Sequence, residues 1–372
     1  VVKLDEQLLI FNRNRLPDFD PLLPGIHHLG SDLRNTLNEL GLNTYAINAP
    51  TIHKFSDHKG HLVFNREDSI KIQDRKSRTY LADKAICDEY IQRKWPEADI
   101  PHCLPVTDLT DNELTDRLAS PIIIISRGGS GSRLCSLLAQ DAGIFLGNDI
   151  TGTGDSLEFV SAIYQGMIAK YNCFTDWQYE QIVPRLRGVA EKVLMNTPVD
   201  IPWGFKLPES LFLLPELRRA FPNARYIHFI RDPLATTLRR THMTARLDNH
   251  IGRISMRVAY QYFDLSKERL LSDSPALHMA YTTMHQLECV DEHLDKISES
   301  DYIEVRYEDI LREPGKQLDR LCHWLNTSKK GGSLVRAIDI GRSKTSEGVY
   351  SEAICKEVES VLLSVRQKNN YI

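Results

Sequence analysis

Four consecutive isoleucines, Ile122 to Ile125, run through Ser126 straight into Arg127-Gly128-Gly129-Ser130-Gly131-Ser132-Arg133. An apolar helical pattern through Leu134, Leu137 and Leu138 follows at once. A β-branched run of this length, with no polar residue alternating in it, predicts a strand buried on both faces. A buried strand that empties into a glycine-rich loop and a helix start is an anion site in outline. The first backbone N–H groups of the helix have no partner of their own, the helix dipole favours negative charge, and the glycines let the backbone come close to a ligand. The bland reading of the same residues is a tight strand-to-helix turn with no ligand. A nucleotide triphosphatase would carry a lysine after Gly131, but that position is Ser132. This argues against triphosphate hydrolysis, though a P-loop nucleotide or small-molecule kinase stays as an alternative.

The alternation continues downstream. Short strands are predicted at 143–146, 203–206, Arg225–Ile230 and 302–305, with helical segments between them. Residues 209–221 place Leu211, Leu214, Leu217 and Phe221 on one stripe, and 276–294 do the same with Leu277, Tyr281, Met284, Leu287 and Leu294. Such alternation predicts an α/β domain whose parallel sheet is covered on both faces.

The chain before residue 120 reads differently. It carries 15 Lys and Arg against 19 Asp and Glu, whereas the remainder carries 31 of each. Its apolar runs are short: weak strands at 45–48 and 61–64, and one helix over 80–95 with Leu81, Ala85, Tyr90 and Ile91 on a face. Pro101, Pro105 and the acidic stretch 108–116 mark a boundary. The expected organisation is an irregular α+β N-terminal extension, 1–119, followed by an α/β domain, 120–372.

Composition excludes several classes. With 42% hydrophobic and 26% charged residues in 372, the chain is neither disordered, collagen-like nor a disulfide scaffold. A net charge of −4 and four scattered tryptophans give no footprint for nucleic acid. The seven cysteines form no CxxC and read as reduced thiols. No apolar run reaches the ~18 residues of a membrane span, and the first residues lack the regions of a signal peptide. A cytoplasmic location is expected, with the Golgi lumen and a removed anchor as the alternative. His53, His58 and His61 lie close in sequence, but no Cys or carboxylate completes a set, so no metal is expected. Asn326-Thr327-Ser328 has the form of a glycosylation sequon.

A second anion motif ends the fourth predicted strand, where Arg231-Asp232-Pro233 follows Tyr226-Ile227-His228-Phe229-Ile230. Arg231 sits at the strand's C-terminal end, where open α/β sheets bind ligands, and Pro233 suits the first turn of a helix. Arg239, Arg240, Arg246, Arg253 and Arg257 make the following stretch basic; a solvated helix face is the competing reading. Lys206 closes an apolar strand in Trp203-Gly204-Phe205-Lys206-Leu207-Pro208-Glu209 and therefore wants an anion, whether a ligand or a salt-bridge partner. Asp155, Glu158 and Asp149 are the acidic candidates for a general base. Asp155 and Ser156 read equally well as a helix cap. His228 is a weaker base candidate, packed inside its strand.

Three ordered blocks carry a resemblance. Residues 121–140, residues 221–233, and Tyr302-Ile303-Glu304-Val305-Arg306-Tyr307-Glu308-Asp309 with Pro314 and 318–325 are similar to the sulfotransferase family that uses 3′-phosphoadenosine 5′-phosphosulfate (PAPS), of the bacterial and carbohydrate type. The resemblance implies a three-layer P-loop fold. It implies that Arg127, Gly128, Gly129, Ser130, Gly131, Ser132 and Arg133 hold the 5′-phosphosulfate. Gly129 stands where the family usually has a basic residue, so Arg127 or Arg133 would supply the charge. Arg231 would hold the 3′-phosphate, with Arg239 at a position usually serine. Gly341-Arg342-Ser343-Lys344 would close over it, with Arg342 as the contact. Lys206 would face the leaving group, Asp155 and then Glu158 would serve as base, and the product would be adenosine 3′,5′-bisphosphate. The implied acceptor is a carbohydrate hydroxyl, less readily an amine. The third block reads as structural: strand, turn and packing helix. A non-catalytic, anion-binding relative is the remaining alternative.

Overall fold

A computed structural model of the chain describes residues 36, 39, 55–56, 62–63, 78–95, 115–172, 179–195, 197–198, 200–239, 241–332, 338 and 350–372. The chain divides into two compact units, Val1–Cys103 and Leu104–Ile372. In the first unit, β1 (Phe55–Ser56) pairs antiparallel with β2 (Leu62–Val63). Helix α1 (Arg78–Lys94) buries Ala82, Ala85, Cys87 and Ile91, with Lys84 bonded to Asp88 at 2.5 Å one turn on. The predicted strand at 45–48, Pro101, Pro105 and the three clustered histidines lie outside the described residues.

The second unit opens with α2 (Asp116–Ala119), capped by the Thr115 hydroxyl, which accepts from the Leu118 N–H. Then come β3 (Ile122–Ser126), α3 (Arg133–Asp141), α4 (Val160–Tyr171), α5 (Ile182–Met195), β4 (Gly204–Lys206), α6 (Leu214–Ala220) and β5 (Arg225–Ile230). The remaining elements are α7 (Pro233–Arg239), α8 (His250–Tyr262), α9 (Lys267–Ser272), α10 (Pro275–Leu294), β6 (Tyr302–Arg306), α11 (Tyr307–Arg312), α12 (Pro314–Leu325) and α13 (Glu352–Lys368). The four strands form one parallel sheet in the order β4-β3-β5-β6. Period two sends Ile122 and Ile124 to one face, where they join Leu134, Leu138, Phe229, Val305 and Leu321. Ile123 and Ile125 point to the other face and are equally buried. With helices on both faces this is the expected α/β architecture, and each buried isoleucine contributes on the order of 1.5–3 kcal/mol.

The strand order decides where a ligand can sit. From β3 the chain goes to β4 on one side and then crosses to β5 on the other. The crevice beyond the C-terminal ends of these strands is the switch point of an open sheet. Lys206 ends β4, the glycine loop leaves β3 and Arg231 follows β5, so all three converge there.

Two expected elements differ. Residues 143–146 form only an isolated bridge, Phe145 to Trp203, because the chain turns at both ends through Gly143 and Gly147 at φ of 89° and 112°. The stripe over 209–221 is not one helix but a 3-10 segment, Pro208–Leu213, followed by α6. Pro215 has no N–H to give Leu211, and its ring would strike that carbonyl, so a new helix starts with the proline in its first turn.

Candidate active site

The loop between β3 and α3 is wedged between two rings. Gly131 adopts φ of 90°, and a Cβ there would lie 2.8 Å from the Tyr307 ring. A Cβ on Gly128 would overlap the His242 imidazole. Both positions therefore need glycine: Gly131 for its left-handed backbone and Gly128 for space. The His242 Nδ1 accepts from the Thr244 N–H and lies 3.0 Å from the Thr244 hydroxyl, which holds the ring against the loop.

Arg127 is bonded through its whole guanidinium to neighbouring protein groups. Its Nε donates to Thr283, its Nη1 to the Gly128 carbonyl and to Thr244, and its Nη2 to Thr282 and the Met279 sulfur. These bonds use all five N–H groups of a guanidinium. Burial pushes its basicity down to about 10, against the charge of Glu209, which acts to raise it. Arg127 thus ties the loop's first residue to α10 and to the segment 243–245. Arg133 opens α3 with an exposed side chain.

Arg231 is buried, and its guanidinium stacks on the Tyr307 ring at 4.3 Å. Burial lowers its pKa; Tyr307 works in the opposite direction, and the nearby charge of Arg239 lowers it further. The structure therefore brings the two predicted phosphate arginines into each other's field. Arg127, Ser130, Arg231, Thr236 and Thr283 line a cleft between loop and turn, with a volume near 10 Å³. Ser130 Oγ and Thr236 Oγ1 are buried there without a hydrogen-bond partner. A buried hydroxyl left unpaired costs about 1–3 kcal/mol, and two of them beside a buried guanidinium form a donor set suited to a phosphate or phosphosulfate. The groups of PAPS fit this chemistry. The cleft holds about one water as it stands.

Lys206 and Asp155, 51 residues apart in sequence, meet at the end of β4. Lys206 Nζ donates to Asp155 Oδ1 at 2.6 Å and to the Thr153 carbonyl at 3.2 Å. The Thr153 hydroxyl donates to the other carboxylate oxygen at 2.7 Å. The Ser156 N–H donates to the Lys206 carbonyl at 2.9 Å and its hydroxyl accepts from the Lys206 N–H at 3.1 Å, which fixes the two segments together. The pair lies beside the first turn of α3, where Ser136 donates to the Gly154 carbonyl and where Lys206 opposes the burial that pushes Cys135 up to about 12.

Glu158 does not join this pair. Its carboxylate accepts from the backbone N–H groups of Asn148 and Asp149 at 2.7 and 3.0 Å, so it holds the turn after Gly147. Asp149 lies in that same turn, and its carbonyl accepts from Leu157. His228 is buried, and burial pushes it down to about 4, leaving it neutral inside β5. Arg342 and its neighbours lie outside the described residues.

Two residues at the site were not singled out from the sequence. Tyr307 was read within a structural block, yet it props both Gly131 and Arg231. Ile230 pairs with Arg306 across β5 and β6, so the next residues, Arg231 and Tyr307, leave the sheet side by side. That register would have found it. Nothing local marks His242, since its contact with Gly128 spans more than a hundred residues.

A sequence model described as the sulfotransferase family matches residues 155–330. That stretch, just under half of the chain, is similar to the sulfotransferase family. The matched stretch holds Asp155, Lys206, Arg231, Arg239 and Tyr307, and the loop 127–133 precedes it. Nothing among the curated proteins matches the chain. Among solved structures, a sulfotransferase of Mycobacterium tuberculosis is 13% identical, covers 81% of this chain and 87% of its own, and superposes with a TM-score of 0.43. One from Mycobacterium avium is 12% identical over 77% of this chain and 83% of its own, with a TM-score of 0.42. One from Alicyclobacillus acidocaldarius is 12% identical over 66% and 92%, with a TM-score of 0.41. Among the described residues, no helix is long and apolar enough to cross a membrane.

Proposed function

We propose that this protein moves a sulfuryl group from PAPS to a hydroxyl of a carbohydrate acceptor and releases adenosine 3′,5′-bisphosphate. The match of residues 155–330 to the sulfotransferase family supports the reaction class. The observation that carries the donor reading is the pair of unpartnered buried hydroxyls, Ser130 and Thr236, beside Arg231. In this reading Ser130 and the N–H groups of the loop and of the first turn of α3 hold the 5′ end. Arg231 and Arg239 hold the 3′-phosphate, joined by Arg342. PAPS supplies an activated sulfuryl group, transferred in line with departure of the bisphosphate.

The chain's own part is electrostatic and protonic. The Lys206 ammonium steadies negative charge that grows on the leaving phosphate. The Asp155 carboxylate, already bonded to Lys206, takes the acceptor's proton, a general-base contribution of typically 10²–10⁴-fold. The near-complete burial of both groups keeps water from competing. A carbohydrate acceptor rests on the resemblance of the motif blocks alone. Among the described residues Cys135, Cys289, Cys322 and Cys355 are thiols outside any disulfide, which suits a cytoplasmic setting.

The mutual neutralisation of Lys206 and Asp155 favours one second reading, a non-catalytic protein that binds the nucleotide. Calorimetric titration with adenosine 3′,5′-bisphosphate, ADP and Mg-ATP tests the donor. Tight binding of the bisphosphate alone is expected, and binding of Mg-ATP alone would replace this reading with a kinase. Bisphosphate binding without transfer of labelled sulfate to any of a panel of saccharides, phenols and amines would select the non-catalytic reading.

A further inference from the structure

The region matched to the family ends at residue 330, yet the last helix, α13, reaches back to the Arg231 turn. Its apolar face, Val358, Leu362 and Val365, packs into a cluster with Ile230, Leu277 and Tyr281. Just beyond that face, Arg366 Nε donates to Asp232 Oδ1 at 3.0 Å and its Nη2 to Oδ2 at 3.5 Å. The same Oδ1 accepts from the Leu234 N–H at 3.0 Å, which starts α7. The Asp232 N–H donates to Glu308 Oε1 at 3.2 Å, and the other oxygen of Glu308 accepts from the Tyr371 hydroxyl at 3.2 Å. Tyr371 closes the circuit, since its N–H donates to the Arg366 carbonyl at 2.9 Å. Asp232, Glu308, Tyr371 and Arg366 therefore form one ring of hydrogen bonds.

That ring encloses the two residues that present Arg231. Asp232 follows Arg231 in the chain, and Glu308 follows Tyr307, the ring on which Arg231 stacks. A shift of either peptide would move the guanidinium off its platform. Charge matters as well as geometry. Asp232 and Glu308 place two carboxylates near Arg231, and an incoming phosphate dianion would meet their repulsion. Arg366, itself buried, offsets the Asp232 charge with a two-point ion pair.

We infer that residues 366–371 form a positioning clamp for the phosphate-binding arginine Arg231, with Arg366 and Tyr371 as its two working side chains. The inference rests on the reading of Arg231 as the 3′-phosphate residue and adds to it a part of the chain outside the matched region. Arg366 is a positioning residue that never touches the ligand.

The test compares adenosine 3′,5′-bisphosphate with adenosine 5′-monophosphate, which lacks the 3′ group, by calorimetry on the full chain. The variants are Arg231→Lys, Arg366→Gln, Arg366→Lys and Tyr371→Phe, each with its melting temperature. In Arg366→Gln the preference for the bisphosphate should fall about tenfold, the size of a coupling within one ion-pair network, with monophosphate affinity unchanged. Arg366→Lys should recover part of the preference, Tyr371→Phe should lose part of it, and Arg366→Gln should add nothing on top of Arg231→Lys. An unchanged preference in Arg366→Gln and Tyr371→Phe, beside a collapsed one in Arg231→Lys, overturns the clamp alone. An equal loss of both nucleotides in Arg366→Gln marks a residue of the fold and also overturns it. An unchanged preference in Arg231→Lys overturns the reading of Arg231, and the clamp with it.

Discussion

Lys206 Nζ and the Asp155 carboxylate stand 2.6 Å apart with side-chain exposures of 2% and 1%. Removing one partner of a buried pair strands the other, which typically costs 3–5 kcal/mol, whereas replacing both with apolar groups is often neutral. A loss of turnover in a single variant would therefore mix catalysis with stability. Asp155→Ala should lose about 3–5 kcal/mol in urea unfolding, and the Lys206→Met, Asp155→Leu double variant should recover most of it. Sulfuryl transfer should stay depressed by about 10²-fold or more in both. A double variant that is stable and fully active would remove this pair from the mechanism.

Gly128 and His242 make a matched contact. Gly128→Ala should weaken adenosine 3′,5′-bisphosphate binding, because its methyl displaces either the loop or the ring, at an overpacking cost of about 1–3 kcal/mol. His242→Ala in the same chain should restore binding by clearing the space. Failure of the second change to rescue the first, read by calorimetry, would mean that the loop tolerates no side chain at that position for another reason.

Arg127 spends five hydrogen bonds on the protein itself. Arg127→Lys keeps the charge but can fill at most three of the five hydrogen bonds, leaving buried hydroxyls of α10 short of a donor. Destabilisation of about 2–4 kcal/mol is expected by denaturant unfolding. The direct ligand contact first expected of this residue would instead predict unaltered stability with weakened nucleotide binding.

Three histidines make the fold acid-sensitive. Burial holds His228, His285 and His293 down to about 4. Below the ordinary imidazole value of about 6.5, the unfolded chain takes up protons that the folded chain refuses. Stability is thus full above that value and falls as pH drops toward about 4, by a few kcal/mol for a fully buried ring. Urea midpoints between about pH 7 and pH 4.5 should decline along this slope, and His228→Phe should flatten it. A level profile would show that these rings protonate while folded.

Glu158 holds a turn. Glu158→Gln keeps one acceptor for the Asn148 and Asp149 N–H groups and should cost about 1 kcal/mol or less, with transfer unchanged, whereas Glu158→Ala should cost about 1–3 kcal/mol. A collapse of turnover in the stable Gln variant would return Glu158 to the list of bases.

The sheet was legible where the chain has no alternative. Four isoleucines in a row and the Tyr226 to Ile230 run are buried on both faces, and no loop or surface helix accommodates them. Lys206 was legible as an out-of-place charge and Asp155 as a base candidate or helix cap, but their union depends on where β4 lies against β3, which local pattern does not state. Arg127 shows the limit most clearly. An arginine ending a buried strand can serve a ligand or the core, and its bonds to Thr244, Thr282 and Thr283 come from more than a hundred residues away. Pro215 was different, since the break it forces in the 209–221 stripe could have been read from the sequence.

The central place of β3 carries a consequence for folding. Its backbone bonds hold β4 on one side and β5 on the other, so detaching it separates Lys206, the glycine loop and Arg231 in one event. Local fraying cannot spare part of the site. Nucleotide binding should therefore slow the slowest amide exchange in the sheet as well as the exchange of loop amides, because only whole-domain opening releases those strands.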